Sequence, residues 1–292
     1  VRDVSRLPRV AAIAVLATVL LACSSPSSTV APTSTHAATP SPPAGPAAGA
    51  SPASPAATAA SRPDPADAPT VQPTALPVQL TGHGAVDVVT LPLDDWDVRV
   101  DWPMDPDGTD LGTYITDHPD ITMLTNAGIF STDLRPGGLL VADGEVLREL
   151  NLADGAGNFH LKPNAVFAIH DDGTASVVDA TAHDPTGVQH ATQSGPALLL
   201  DGSVHPAFRE GSENLAIRSG VGVSPDGHTV YLALSHTPVN LWDFATMFRD
   251  DLGVDDALYL DGQISQLWIR GVTDDPISFL GPYAGVITAA PR

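Results

Sequence analysis

Several side chains in the second half of this chain have the types needed to handle an anionic, oxygen-rich ligand. Arg218 immediately precedes Ser219-Gly220-Val221-Gly222-Val223, and Asp261-Gly262 follows Tyr259-Leu260. Asn126 follows the apolar stretch Ile121–Leu124, and Gln193-Ser194 precedes Gly195-Pro196 and another apolar run. Polar residues at the ends of apolar runs, beside glycines, sit where backbone can approach a ligand. Taken singly, each is better read as a hairpin or turn residue. Lys162 is the only lysine in the chain and lies in Gly157-Asn158-Phe159-His160-Leu161-Lys162-Pro163-Asn164, just before an apolar run. A lone cation in an acidic chain can hold a phosphate or sugar oxygen, or serve simply as a surface lysine.

Other chemistries find no support. There is no Gly-x-Ser-x-Gly elbow, no His-Glu-x-x-His pair and no Gly-rich phosphate loop. The single cysteine, Cys23, rules out a Cys-rich metal site, and no metal or other cofactor is expected. The formal net charge is −21. The first 80 residues carry four Arg and three Asp, so the remainder carries −22. Nucleic-acid affinity comes largely from basic residues set against phosphates, so a nucleic-acid partner is not expected.

The elements that must position these residues read mostly as strands. Val86–Leu91 and Trp96–Trp102 are apolar or alternating. Asp-Gly turns join Leu139–Val141 to Val146–Leu150, Ala165–Ile169 to Ala175–Val178, and Val221–Val223 to Val230–Leu234, a strong hairpin cue. Pro196–Leu200, Ala257–Leu260 and Ile264–Ile269 are further strands. One helix is expected to start at Thr237-Pro238, to follow Leu241, Phe244, Ala245, Phe248 and Leu252 at helical spacing, and to end at Gly253. Hairpins outnumbering helices predict an α+β fold: a single domain of mixed, mostly antiparallel β-sheet with a few helices, over residues 81–292.

The residues before that domain read differently. Arg2, Arg6 and Arg9 precede a 13-residue apolar run, Val10–Ala22, which is shorter than the ~20 residues a membrane-spanning helix needs. This pattern predicts a secretory signal peptide over 1–22. Leu20-Leu21-Ala22-Cys23 resembles the lipobox of bacterial lipoproteins, which implies a lipid anchor on Cys23 at the outer face of the cell membrane. An ordinary signal peptide that happens to contain a cysteine is the alternative. Residues 24–80 are rich in Pro, Ala, Ser and Thr, too poor in large apolar side chains to offset ordering entropy. A disordered linker, which could also be a glycosylated stalk, is expected; if extended it would reach ~150 Å.

Taken together, the ordered segments resemble the phosphodiester glycosidase family, named for N-acetylglucosamine-1-phosphodiester α-N-acetylglucosaminidase. The matching pieces are Thr125–Phe130, Gly157–Asn164, Gln193–Gly202, His205-Pro206, Arg218–Val223, Pro238–Gly253 and Tyr259–Gly262, in that order. Gln263 stands where many members carry a second glycine. The resemblance implies hydrolysis of a sugar-1-phosphodiester on its glycosidic side. It implies Arg218 and Asp261 as catalytic residues: Arg218 on the phosphate, Asp261 as general acid/base or stabiliser of the oxocarbenium ion. Asn126, Lys162, Asn164, Gln193 and Ser194 are the expected substrate contacts. A second carboxylate is not assigned; Asp201 reads as a turn residue and Asp243 as a residue of a helix's first turn. A non-catalytic module binding envelope glycopolymer would use the same groups.

Overall fold

A computed structural model of the chain describes residues 78–102, 111–273 and 283–292. The signal peptide, Cys23 and nearly all of the linker therefore lie outside the described residues.

In chain order the elements are β1 (Gln79–His83), β2 (Val86–Pro92), β3 (Trp96–Asp101), α1 (Leu111–Asp117), β4 (Met123–Asn126), β5 (Leu140–Ala142), β6 (Glu145–Arg148), β7 (Ala165–His170) and β8 (Ala175–Asp179). Then follow β9 (Val188–Ser194), β10 (Ala197–Leu200), β11 (Ser203–Val204), β12 (Ser219–Val223), β13 (Thr229–Ser235), α2 (Leu241–Asp250), β14 (Asp256–Tyr259), β15 (Leu267–Ile269) and β16 (Val286–Pro291). Short 3-10 turns at Asn158–His160 and Ala180–Ala182 interrupt the loops.

The strands form three sheets. The first has seven strands in the order β1-β2-β13-β12-β14-β10-β11, the second four (β15-β4-β16-β3), and the third five (β6-β5-β9-β7-β8). Every described neighbour pair is antiparallel. The expected fold, mostly antiparallel sheet with few helices, is what the structure shows. The three expected Asp-Gly hairpins all form. In the β5–β6 turn both Asp143 (φ 49) and Gly144 (φ 76) are left-handed, the backbone that matches the twist of a two-residue hairpin.

The main core lies among the three sheets. Val89 and Leu91 from β2, Val98 and Val100 from β3, Phe167 from β7, Leu258 from β14 and Ile287 from β16 meet there. The opposite face of the seven-stranded sheet is covered by α2, through Phe244, Ala245 and Phe248. The glycines of β12 make that contact possible. A Cβ at Gly222 would stand 2.7 Å from the Phe248 ring, and one at Gly220 would be 3.0 Å from the Phe244 ring.

Two expectations need correction, and β9 comes as an addition. The helix does not begin at Thr237-Pro238; Asn240 caps it, its side chain accepting from the Asp243 N–H at 2.8 Å. A side-chain acceptor for the first orphan N–H groups outweighs the Pro cue. Of Ile264–Ile269, only Leu267–Ile269 is strand, because Ser265 N–H closes a turn on the Gly262 carbonyl. β9 reads as polar sequence yet is a central strand, with residues 190–194 all buried.

Candidate active site

Four strand ends meet at one point. β4 ends at Asn126, β9 ends at Ser194, β12 begins at Ser219 and β14 ends at Tyr259, two residues before Asp261. The meeting point is stitched by hydrogen bonds. Asn126 Nδ2 donates to Ser219 Oγ at 3.2 Å. Ser219 Oγ also accepts from the Asp261 N–H at 3.1 Å and shares a 2.8 Å hydrogen bond with Ser265. Ser219 N–H donates to the Asp261 carbonyl and Leu260 N–H to the Ser219 carbonyl, both at 2.9 Å. Ser194 Oγ donates to the Leu260 carbonyl at 2.9 Å and accepts from Ile129 N–H. The backbone of Asp261 is therefore held by Ser219, and the Leu260 carbonyl before it by Ser194 from a second sheet, the fixed placement a reacting group needs.

The Asp261 carboxyl is largely buried, and burial raises its pKa from 3.8 to about 6, against the opposing effect of the Gly262 N–H that donates to Oδ1 at 2.7 Å. Its charge acts on two tyrosines, Tyr259 and Tyr283, whose hydroxyl pKa values are both raised, chiefly by burial and further by Asp261. Its titration is governed by burial and one backbone bond, with no second carboxylate contributing. Asp201 is a turn residue at φ 50 between β10 and β11, and Asp243 belongs to the α2 cap, where its carboxylate accepts from Asn240 Nδ2.

Arg218 is only 3% exposed. Its Nε donates to the Val239 carbonyl at 3.0 Å and its Nη2 to the Asn214 carbonyl at 3.1 Å. The guanidinium lies 5.8 Å from the centre of the Tyr259 ring, and the Tyr259 hydroxyl is within reach of both Arg218 and Asn158. Among the described residues Arg218 has no ion-pair partner. A buried cation held only by neutral groups is costly to desolvate, and an anionic ligand would relieve that cost. Arg218 borders a cavity of about 160 Å³ together with Asn158, Asn214 and Trp242.

The remaining expected contacts take other places. Asn126, beyond its bond to Ser219, accepts from Gln266 N–H at 3.2 Å. Gln193 is 1% exposed; its Oε1 accepts from Leu139 and Asn151 N–H and its Nε2 donates to the Asn151 carbonyl at 2.7 Å. Asn164 donates to the Phe159 carbonyl at 3.2 Å, holding the turn that presents Asn158. These side chains, with Ser194, spend their hydrogen bonds inside the protein and position the site. Lys162 is exposed and turned to the loop before it, pairing with Asp154 at 2.6 Å and the Leu152 carbonyl at 2.8 Å. Its ammonium group is thereby satisfied away from the Arg218 cavity walls. Tyr259 and Asn158 were not singled out by sequence reasoning; the signal available was that each sits inside a segment already chosen for a neighbour. Gln263, at the variable glycine position, accepts from Ile217 N–H through Oε1 at 3.2 Å and so braces the residue before Arg218.

The phosphodiester glycosidase family model matches residues 120–279, which include Asn126, Arg218 and Asp261. Protein YigE of Escherichia coli (strain K12) is 36% identical over 151 residues, which are 52% of this chain and 59% of that protein. The chain thus spans less than two thirds of that relative. Among solved structures, the catalytic domain of zebrafish N-acetylglucosamine-1-phosphodiester α-N-acetylglucosaminidase, auto-inhibited by its pro-peptide, superposes with a TM-score of 0.51 at 16% identity, covering 74% of this chain and 82% of that one. The likeness to that structure is one of fold. A hypothetical protein from Synechocystis matches with a TM-score of 0.47 at 14% identity, covering 74% of this chain and 61% of that one.

Proposed function

The chain belongs to the phosphodiester glycosidase family, and from that premise we propose that it hydrolyses a sugar-1-phosphodiester at the bond between the anomeric carbon and the phosphate oxygen. The observation that carries the reading is the presence, on the same stitched strand ends, of Arg218, a buried cation without a carboxylate partner among the described residues, and of Asp261, a partly buried carboxyl. Arg218 binds the phosphate and stabilises the charge it gains as the bond breaks. Asp261, ionised above pH 6, stabilises the positive charge developing at the anomeric carbon and takes the proton of the attacking water. The phosphomonoester is a good leaving group and needs little acid assistance. Tyr259, kept neutral by its raised pKa, is placed to fix the guanidinium and to donate its hydroxyl to the ligand.

The signal peptide, the lipid on Cys23 and the linker complete the proposal: an enzyme exported and tethered to the outer face of the cell membrane, acting on envelope or extracellular glycopolymer. The basic start, short apolar run and lipobox-like Leu-x-Ala-Cys support it. Incubation of the protein with a sugar 1-(methyl phosphate) tests the activity. Free reducing sugar and methyl phosphate are expected, and both Asp261→Ala and Arg218→Ala should abolish their release while circular dichroism stays unchanged. Saturable binding with no product would instead make the domain a glycopolymer-binding module. Equal activity in cells for Cys23→Ala, secreted normally, would remove the case for tethering.

A further inference from the structure

The cavity beside Arg218 holds a second arginine. Arg209 lines the same 160 Å³ space, and no carboxylate of the described residues does. In a chain with 34 acidic and 13 basic side chains, two cations lining one small cavity with no described acid beside them is an unusual arrangement. Neither arginine has an ion-pair partner among the described residues. Glu210 and Glu213 are near in sequence but do not line the cavity.

Arg209 is exposed yet held. Its Nη1 donates to the Pro206 carbonyl at 2.6 Å and to the Phe208 carbonyl at 2.7 Å. The loop beneath it is anchored by His205, whose Nδ1 accepts from Ala207 N–H at 3.2 Å and whose ring stacks on buried Phe208 with centroids 4.8 Å apart. Nε and Nη2 of Arg209 have no partner within the described protein. A planar fork fixed by one nitrogen, with its other edge free, is prepared for two oxygens of one phosphate.

We infer that Arg209 is a second phosphate-binding residue, forming with Arg218 a two-arginine clamp, and that Leu241 and Trp242 form the wall against which the alcohol side of the diester lies. The inference rests on the proposed activity for the direction of the substrate, with the sugar toward Asp261. The binding of phosphate between the arginines does not depend on that reading. Asp261 is absent from the cavity lining, which leaves the cavity to the group on the far side of the phosphate. The cavity thereby favours a substrate that carries an anionic phosphate; a neutral glycoside would leave both cations uncompensated.

The test uses dimethyl phosphate as probe and the indole N–H resonance of Trp242, assigned with Trp242→Phe. In the wild-type protein the resonance should shift saturably. Arg209→Gln should weaken the dissociation constant at least tenfold and raise KM for the sugar 1-(methyl phosphate) by a similar factor, with kcat within about threefold, since one charged hydrogen-bonding partner is worth roughly that much. Arg209→Lys should recover part of the loss. Equal affinity in wild type and Arg209→Gln, or no saturable shift in the wild type, overturns the clamp. Tight binding with no hydrolysis by the wild type would leave the clamp standing and remove the proposed activity instead.

Discussion

Two cavities of this molecule are opposites. The larger, about 410 Å³, is lined by Asp97, Asp101, Asp120 and Asp143 with one arginine, Arg99. That arginine is already paired, at 2.8 Å to Asp97 and 3.4 Å to Asp143. The smaller, about 160 Å³, has Arg209 and Arg218 and, among the described residues, no acid. In the first, charges of both signs neutralise one another within the protein, and the excess negative charge repels an anion. In the second, positive charge is left without an acidic partner among the described residues. Volume alone would favour the acidic cavity; unpaired positive charge favours the one beside Arg218 for an anionic ligand.

The contrast can be broken by exchanging neutral residues for the arginines. Arg218→Met should lower kcat/KM by about 10²–10³, because it removes a donor aimed at charge that grows in the transition state. Arg99→Met, in the acidic cavity, should leave the rate within about twofold. Comparable losses in both variants would dissolve the distinction.

Asp261 sharpens it further. Asp261→Asn should cost about 10²–10⁴ in rate. In the wild type, activity should rise with pH through about 6 as the carboxyl ionises; a rate that falls across that range would make Asp261 an acid. The same residue should carry a stability cost. Its folded pKa lies above the unfolded value of 3.8, so between pH 4 and 6 the folded state binds more protons and stability falls as pH rises. Above pH 7 the charged buried carboxylate costs about 2–3 kcal/mol. Asp261→Asn should therefore be more stable than wild type by up to that amount at pH 8, with the difference vanishing below pH 4 in urea unfolding.

The sequence and the structure agree most where local rules govern. Asp-Gly turns and apolar runs located β5–β6, β7–β8 and β12–β13, because both the turn chemistry and the burial are local. β9 was hidden for the opposite reason. Its polar side chains are satisfied by distant partners: His190 Nδ1 lies 3.1 Å from the Val100 carbonyl, and Thr192 Oγ1 accepts from Gly128 N–H. No local pattern announces such bonds. The roles of the site residues divide in the same way. Arg218 and Asp261 were visible as charges at strand ends, whereas the inward bonding of Asn126, Asn164, Gln193 and Ser194 depends on segments far away in the chain. Lys162 was chosen for being the only lysine, and its pairing with Asp154 across the preceding loop was not legible.

Hydrolysis of a sugar 1-(methyl phosphate) in ¹⁸O-labelled water tests the central claim most directly. Cleavage at the anomeric carbon puts the heavy oxygen on the released sugar and leaves methyl phosphate unlabelled, which is the result expected from Asp261 acting at carbon and Arg218 holding the departing phosphate. Label in the phosphate, or release of sugar 1-phosphate, would contradict it.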